Sequence, residues 1–370
     1  MLKRISIDNY RCFVGFELRP GRRNLLVGDN GTGKTSLFDA LGAIQDLLIL
    51  ESAVEDAFPA STLARATGSA QQQFALEIEG PRGTLVYELV VIQDPETEET
   101  EISSEHLFLN GEPLYFSTPF GVELRQEDPA STLEFPYNSK RSFLAAVEAK
   151  RLHRDVLFFK EFVRGIWILK INPRGVAAAS RLDSQWLARD AGNFAAWYRF
   201  ISDEEPGVIS AALAALKEIM PGLRHLKKLA SGRAKVLAAE FSFAGQASYT
   251  IDFDGLSDGQ RALIILYTVL HAVMSRATVL CFDEPDNFVA IGEIQPWLVT
   301  LLDALDSPEE GGGRQCLLIS HSREIIDFLG HEDALRLARD EGGHVRVHSV
   351  AKPVGVTLAD ELVRGVDDGT

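Results

Sequence analysis

Gly28-Asp29-Asn30-Gly31-Thr32-Gly33-Lys34-Thr35-Ser36 reads GDNGTGKTS, and the rest of the chain is best understood outward from it. Gly28, Gly33, Lys34 and Thr35 fit the spacing G-x-x-x-x-G-K-[ST]. The run Arg23–Val27 before it reads as the end of a strand, and the chain from Leu37 onward as a helix. That strand–loop–helix context is what a phosphate-binding loop requires. Glycines allow consecutive backbone N–H groups to turn inward on a phosphate chain. The helix N-terminus adds its partial positive charge. Lys34 is placed to reach the β- and γ-phosphates, and the Thr35 hydroxyl to bind Mg²⁺.

Composition narrows the class. The chain has 370 residues, 46% of them hydrophobic, enough for one large or two modest cores. No window approaches eighteen consecutive apolar residues, so no membrane span is expected. The opening MLKRISIDNYRCF alternates like a strand and lacks the apolar centre of a signal peptide. Cys12, Cys281 and Cys316 are far apart and odd in number. They point to buried thiols in a reducing cytoplasm rather than a disulfide frame or metal site. The net charge of −16 argues against a surface that binds duplex DNA as a whole, so nucleic-acid contact would need a local basic patch.

Taken in order, Lys3–Ile7 and Cys12–Leu18 read as strands, followed by the strand into the loop. The loop's helix is expected to reach about Glu51. Phe74–Ile78, Gly83–Ile92 and Glu105–Leu109 are strand-like, with turns at Gly80-Pro81-Arg82-Gly83 and Asn110-Gly111. With no helices between them, they suggest an antiparallel β-layer beside a nucleotide-binding sheet. The acidic run from Asp94 to Glu105 reads as a solvated loop. From Lys140 to Arg174 there are nine Lys/Arg against three Asp/Glu, and Arg224 to Lys235 carries five more Lys/Arg and no acid. Helical periodicity spans Ser142–Arg164, Asn193–Ile201 and Val208–Ile219, with a strand at Ile166–Ile171 between them. Residues 140–235 are therefore expected to form a mostly helical, basic insertion between residues 1–139 and 236–370. Its Lys and Arg residues read equally well as a functional face or as ordinary snorkelling surface residues. Strands return at Val236–Phe243 and Ala247–Phe253.

Three further stretches carry chemistry. Leu256-Ser257-Asp258-Gly259-Gln260 opens an apolar helix. Ser257 and Gly259 stand where a helix N-terminus offers free N–H groups, a second anion site; an ordinary capped helix start has the same sequence. Twenty-six residues after Ser257, the run Thr278–Phe282 ends in Asp283-Glu284-Pro285. Asp283 is expected to hold Mg²⁺ and Glu284 to polarise the attacking water. Gln315–Ser320 is another apolar strand, ending in His321. Placed beside the Asp283 strand, it would bring His321 near the γ-phosphate.

In this order and spacing the four motifs resemble those of ABC-class ATPases. GDNGTGKT is similar to the Walker A motif, LSDGQ to the signature, VLCFDE to the Walker B motif with its glutamate, and His321 to the switch histidine. Ile5–Phe13, with its Asn9-Tyr10-Arg11-Cys12-Phe13, resembles the start of the soluble RecF/SMC/OLD-like branch, where such a segment lies near the nucleotide. The resemblance covers about 1–92 and 236–350. It implies an α/β P-loop NTPase fold of the ABC head type, with the antiparallel β-layer and helical insertion added. Asn30, Gly31, Thr32, Gly33, Lys34, Thr35 and Ser36 would bind ATP, with Arg11 and Gln260 as further contacts and Thr35 and Asp283 on the metal. Two heads would sandwich two ATPs, Ser257 and Gly259 of one capping the γ-phosphate held by the other, and Lys34, Glu284 and His321 would serve hydrolysis.

The chain departs from that pattern in places. No glutamine follows Ile166–Ile171, where Asn172 stands instead and Gln185 is further on. Ala290 falls where many relatives carry Asp or His. No long coiled coil is foreseen, and no nuclease domain after residue 350. Three functions remain open: an ATP-driven homodimeric switch working on DNA or on a partner effector in genome maintenance or phage defence, an ATP-sensing scaffold with little turnover, and the nucleotide-binding subunit of a transporter.

Overall fold

The computed structural model describes residues 1–64, 67–94, 97, 99–126, 132–146, 153–307, 314–350 and 357–360. The phosphate loop lies between strand β3 (Arg23–Val27) and helix α1 (Lys34–Ile49), as its sequence requires. β3 belongs to a six-stranded sheet with β10 (Ile166–Leu169), β15 (Val279–Asp283), β16 (Gln315–Ile319), β17 (Ala334–Arg339) and β18 (Val345–Ser349). The order is β10-β15-β16-β3-β17-β18, parallel throughout except for the final β17–β18 pair.

Alternation explains why this sheet is central. Val279, Cys281, Leu317, Ile319 and Leu26 point into one core, and Leu280, Phe282, Cys316, Leu318, Leu25 and Val27 into the other. Strands apolar on both faces are the mark of a parallel sheet covered on both sides. The first core holds α1 and an eight-stranded antiparallel sheet. Its strands are β1 (Leu2–Asp8), β2 (Phe16–Leu18), β4 (Gln71–Gly80), β5 (Gly83–Gln93), β6 (Thr100–Leu109), β7 (Glu112–Thr118), β8 (Gly121–Arg125) and β9 (Thr132–Phe135), in the order β2-β1-β4-β5-β6-β7-β8-β9. The second core holds α5 (Phe194–Glu204), α6 (Pro206–Ile219), α7 (Asp258–Val273) and α8 (Ile291–Asp306). Gln315 ties the two sheets together. Its side chain accepts from the Leu2 N–H at 2.6 Å and donates to the carbonyls of Leu2 at 2.9 Å and Gly21 at 2.8 Å.

The antiparallel layer is larger than the three strand-like runs indicate, because β7, β8 and β9 extend it past the Asn110-Gly111 turn. The first segment differs too: Arg11 and Cys12 form a turn closed by a Tyr10–Phe13 bridge, Val14 and Gly15 bend, and only Phe16–Leu18 is strand. The stretch 140–235 contains α3 (Phe143–Ala146), α4 (Arg154–Arg164), α5 and α6, but also strands. β10 is an edge of the parallel sheet. β11 (Ala179–Ser180) and β12 (Leu223–Ser231) join β13 (Ala234–Phe241) and β14 (Tyr249–Asp252) in a small antiparallel sheet. Helical periodicity cannot register strands completed by partners far along the chain. Residues 147–152, the middle of the helix expected over Ser142–Arg164, lie outside the described residues, as do parts of the acidic run. A last helix, α2 (Val54–Ala57), packs on α1, and α9 (Arg323–Asp333) on β3. Among the described residues no helix is long and apolar enough to cross a membrane.

One buried charge site holds the β-layer together. Glu105 on β6 accepts from the hydroxyls of Tyr87 on β5 and Tyr115 on β7, each at 2.8 Å, and from Ser142 at 2.7 and 2.9 Å. Burial raises its pKa above the ordinary glutamate value, opposed by those three hydroxyls and by Lys160. The folded state therefore keeps this proton to higher pH than the unfolded chain does. The stability associated with the protonated form is full below the ordinary glutamate pKa and is lost as pH rises through the raised one. Glu105→Gln keeps the shape without the charge. Its thermal midpoint should match the parent's at the acid end of the carboxylate range and exceed it at neutral pH. A parent at least as stable as the variant at pH 7 would contradict this.

Candidate functional site

The parallel register gathers the site. Leu26 is paired with Ile319, Ile319 with Asp283, and Phe282 with Leu169. The C-terminal ends of β3, β16, β15 and β10 therefore lie side by side, where ligands of parallel α/β sheets bind. Gly28–Ser36, His321, Asp283–Glu284 and Lys170 leave the sheet there together.

The loop is built to receive an anion. Gly33 is the N-cap residue of α1, in the left-handed region at φ 91°, and no side chain caps the helix. The first N–H groups of α1 are thus left for a ligand. A Cβ on Gly33 would lie 2.5 Å from Cys12 Sγ and 2.7 Å from Phe13 Cζ. The Asn9–Phe13 segment thus packs directly under the loop. The Thr32 hydroxyl donates to the Asp29 carbonyl at 2.8 Å. Lys34 is buried and folds back on the loop, donating to the carbonyls of Gly28 at 2.6 Å and Asp29 at 3.0 Å. Burial lowers its pKa, and Glu284, Asp29 and Asp283 pull it back up. Asn30 and Gly31 are exposed at the loop's tip, and Ser36 neighbours the Cys12 thiol.

Thr35 and Asp283 meet. The Thr35 hydroxyl donates to Asp283 Oδ2 at 2.9 Å. Asp283 Oδ1 is buried and has no hydrogen-bond partner among the described residues. A hydroxyl and a carboxylate with a spare buried oxygen are hard donors that suit Mg²⁺. The next residue, Glu284, has φ 52°, a strained position for a side chain of its size, and its N–H donates to the Ile319 carbonyl at 2.9 Å. Its carboxylate is held at both oxygens: Asn287 Nδ2 donates at 2.6 Å, and His321 Nε2 lies 3.4 Å away. His321 is thus beside the glutamate.

The LSDGQ stretch opens α7 with a side-chain cap. Ser257 Oγ accepts from the Gln260 N–H, and Gln260 Oε1 accepts from the Ser257 N–H at 3.1 Å, a complete capping box. The capping box uses the Ser257 and Gln260 N–H groups and does not involve those of Asp258 and Gly259. Asp258 is held by Arg174 and Arg261, and Arg174 is the main cause of its lowered pKa. A Cβ on Gly259 would lie 2.8 Å from the Phe288 carbonyl, so the helix start rests on the segment that follows Glu284. Ala290 ends that segment as the N-cap residue of α8, with no side-chain cap. The Ser257, Gly259 and Gln260 cluster and the phosphate loop are separate features within one chain.

Arg11 also lies near the loop. It pairs with Asp39 and its guanidinium sits 5.5 Å from the Tyr10 ring centre. With Thr62, Arg339 and His344 it lines a cavity of about 610 Å³ beside the loop. Arg339 closes that side by donating to the Gly31 carbonyl at 3.1 Å and the Gly343 carbonyl at 2.6 Å. Arg339, Asn287 and Lys170 belong to the site and have no motif of their own; Lys170 lay inside the strand expected over Ile166–Ile171, which ends at Leu169. Asn172, considered for the missing glutamine, instead donates its N–H to the Asp190 carbonyl at 3.0 Å.

Gly33→Ala should damage the loop, since its Cβ collides with Cys12 and Phe13 at a left-handed φ. Strain of about 1–3 kcal/mol is expected in thermal unfolding. Gly31→Ala, whose Cβ meets nothing within 4 Å, should cost less. Equal melting losses for the two would contradict the packing described.

Comparison with known proteins places the family and the fold. The AAA_21 family, described as "AAA domain, putative AbiEii toxin, Type IV TA system", matches residues 23–327. No curated protein matches the sequence. The fold resembles the Smc head domain with an extended coiled coil bound to the C-terminal domain of ScpA, from Pyrococcus furiosus. That match has a TM-score of 0.56 and 12% identity and covers 99% of this chain and 98% of that one. It also resembles the SMC head domain from Thermotoga maritima, with a TM-score of 0.46 and 14% identity, covering 96% and 99%. With its phosphate loop, its paired strand ends and this match over most of its length, the chain belongs to the AAA_21 family of P-loop ATPase domains and has an ABC-type head fold.

Proposed function

We propose that the protein binds ATP with Mg²⁺ and hydrolyses it as a homodimer of heads whose nucleotide state is passed to a partner effector protein. The observation that carries this is the convergence at one sheet edge: the uncapped start of α1, the Thr35–Asp283 pair with its spare buried oxygen, and the Glu284–His321 pair. Mg²⁺, once bound by Thr35 and Asp283, would neutralise phosphate charge during transfer. Lys34 would release the Gly28 and Asp29 carbonyls and turn to the phosphates. Glu284, positioned by Asn287, would orient the attacking water and take its proton. His321 would donate toward the γ-phosphate side. In the dimer, Ser257 and Gly259 of the second head would close the site, and the Phe288 contact at Gly259 would link that closure to Glu284.

A protein partner is favoured over DNA by what the basic residues do. Lys160 donates to the Leu144 and Ala145 carbonyls, and Arg164 pairs with Glu161. Arg174 pairs with Asp258, Arg189 with Asp46, Arg199 with Asp183, Lys227 with Glu240 and Lys228 with Asp203. Arg174, Arg189 and Lys227 thus meet acids from outside 140–235, which lowers the positive balance of that stretch. Lys150 and Arg151 lie outside the described residues. The family description adds a type IV toxin–antitoxin setting, in which phage defence through an effector is a natural role. A nearly inactive ATP sensor is the second reading, favoured by the way Asn287 and His321 already occupy both oxygens of Glu284.

Lys34→Ala removes the charge from the phosphate cradle, and nucleotide affinity should fall by about 100-fold or more. Unchanged affinity would end the phosphate-loop assignment. Glu284→Gln should bind ATP normally, turn over roughly 10²–10⁴-fold more slowly and accumulate an ATP-bound dimer on size exclusion. Turnover that rises with protein concentration supports the dimeric enzyme; binding without turnover in the parent supports the sensor.

A further inference from the structure

β10 ends at Leu169, which pairs with Phe282, so the next residue, Lys170, stands opposite Asp283. Its backbone is fixed, with the Lys170 N–H donating to the Arg189 carbonyl at 2.8 Å. Its ammonium lies 3.0 Å from Asp283 Oδ2, the same oxygen that accepts from Thr35. The two partners differ in burial: the Lys170 side chain is 57% exposed and that of Asp283 2%. A buried, immobile carboxylate is therefore faced by a cation on a flexible stem with one end in water.

We propose that Lys170 is a tethered cation that occupies Asp283 while the nucleotide site is empty, and that a divalent cation must displace it to bind. The inference rests on the nucleotide reading above and adds regulation to the same site. A buried carboxylate without a counter-charge is costly, and Lys170 supplies that charge in the absence of metal. Lys170 and a divalent cation compete for one carboxylate, so metal binding is weakened by the cost of moving the ammonium. Incoming phosphates offer that ammonium a new partner, which makes metal and nucleotide load together. The head is thereby kept from filling with metal alone.

The test is Mn²⁺ binding by electron paramagnetic resonance, with and without ADP, on the full chain and on Lys170→Met, Lys170→Arg and Asp283→Asn. Lys170 is exposed enough for Met to leave the fold intact. Without nucleotide, Lys170→Met should lower the half-saturating Mn²⁺ concentration by about tenfold, the lower end for a hydrogen bond between charged groups. Lys170→Arg should stay near the parent, and ADP should narrow the gap between parent and Lys170→Met. Mn²⁺ binding that Asp283→Asn weakens but Lys170→Met leaves unchanged would overturn the inference and keep the metal site. Absence of Mn²⁺ binding in every variant would overturn both.

Discussion

The structure depends on the register of its parallel strands. A shift of one residue in β15 would turn Asp283 away from Thr35 and exchange the side chains that β15 sends to the two cores. Because β15 and β16 are apolar on both faces, that register is held from both sides. The functional edge is therefore as rigid as the core beneath it. The Thr35–Asp283 hydrogen bond, between residues 248 apart in sequence, is the direct product of that constraint.

Around this edge the chain trades stability for readiness. Glu284 sits at φ 52°, and Asp283 keeps a buried oxygen without a partner among the described residues. Such local costs are tolerated where the surroundings determine the conformation, and they concentrate at sites that bind or react. By contrast, the start of α7 carries a capping box of its own. The two helix starts therefore do different things. α1 leaves its N–H groups for a ligand, whereas α7 is preformed and leans on the segment after Glu284 through Gly259.

Charge needed the tertiary structure to be interpreted. The Lys and Arg residues between 140 and 235 look like a basic face when counted along the chain. In the fold Lys170, Arg174, Arg189 and Lys227 lie against acids from outside that stretch, so the local sum overstates the field they present. Surface ion pairs of this kind contribute little stability each, but they do remove positive potential.

The sequence by itself determined the phosphate loop, the strand ending in Asp283-Glu284, the strand ending before His321 and the helix after LSDGQ. These are local patterns: turn chemistry, apolar runs and helix capping act within a few residues, and each forms as read. The fold class followed from the resemblance of those motifs, in that order, to ABC-class ATPases. The sequence did not reveal β7–β9, the strand character of Leu223–Ser231, or the membership of β10 in the central sheet. Strands are stabilised by partners that can be anywhere in the chain, so their own residues underdetermine them. Only the tertiary structure decided that Lys170 faces Asp283 and that Arg339 reaches Gly31. Each of these depends on which strand lies beside which, and that choice is made by the two cores together rather than by any local stretch.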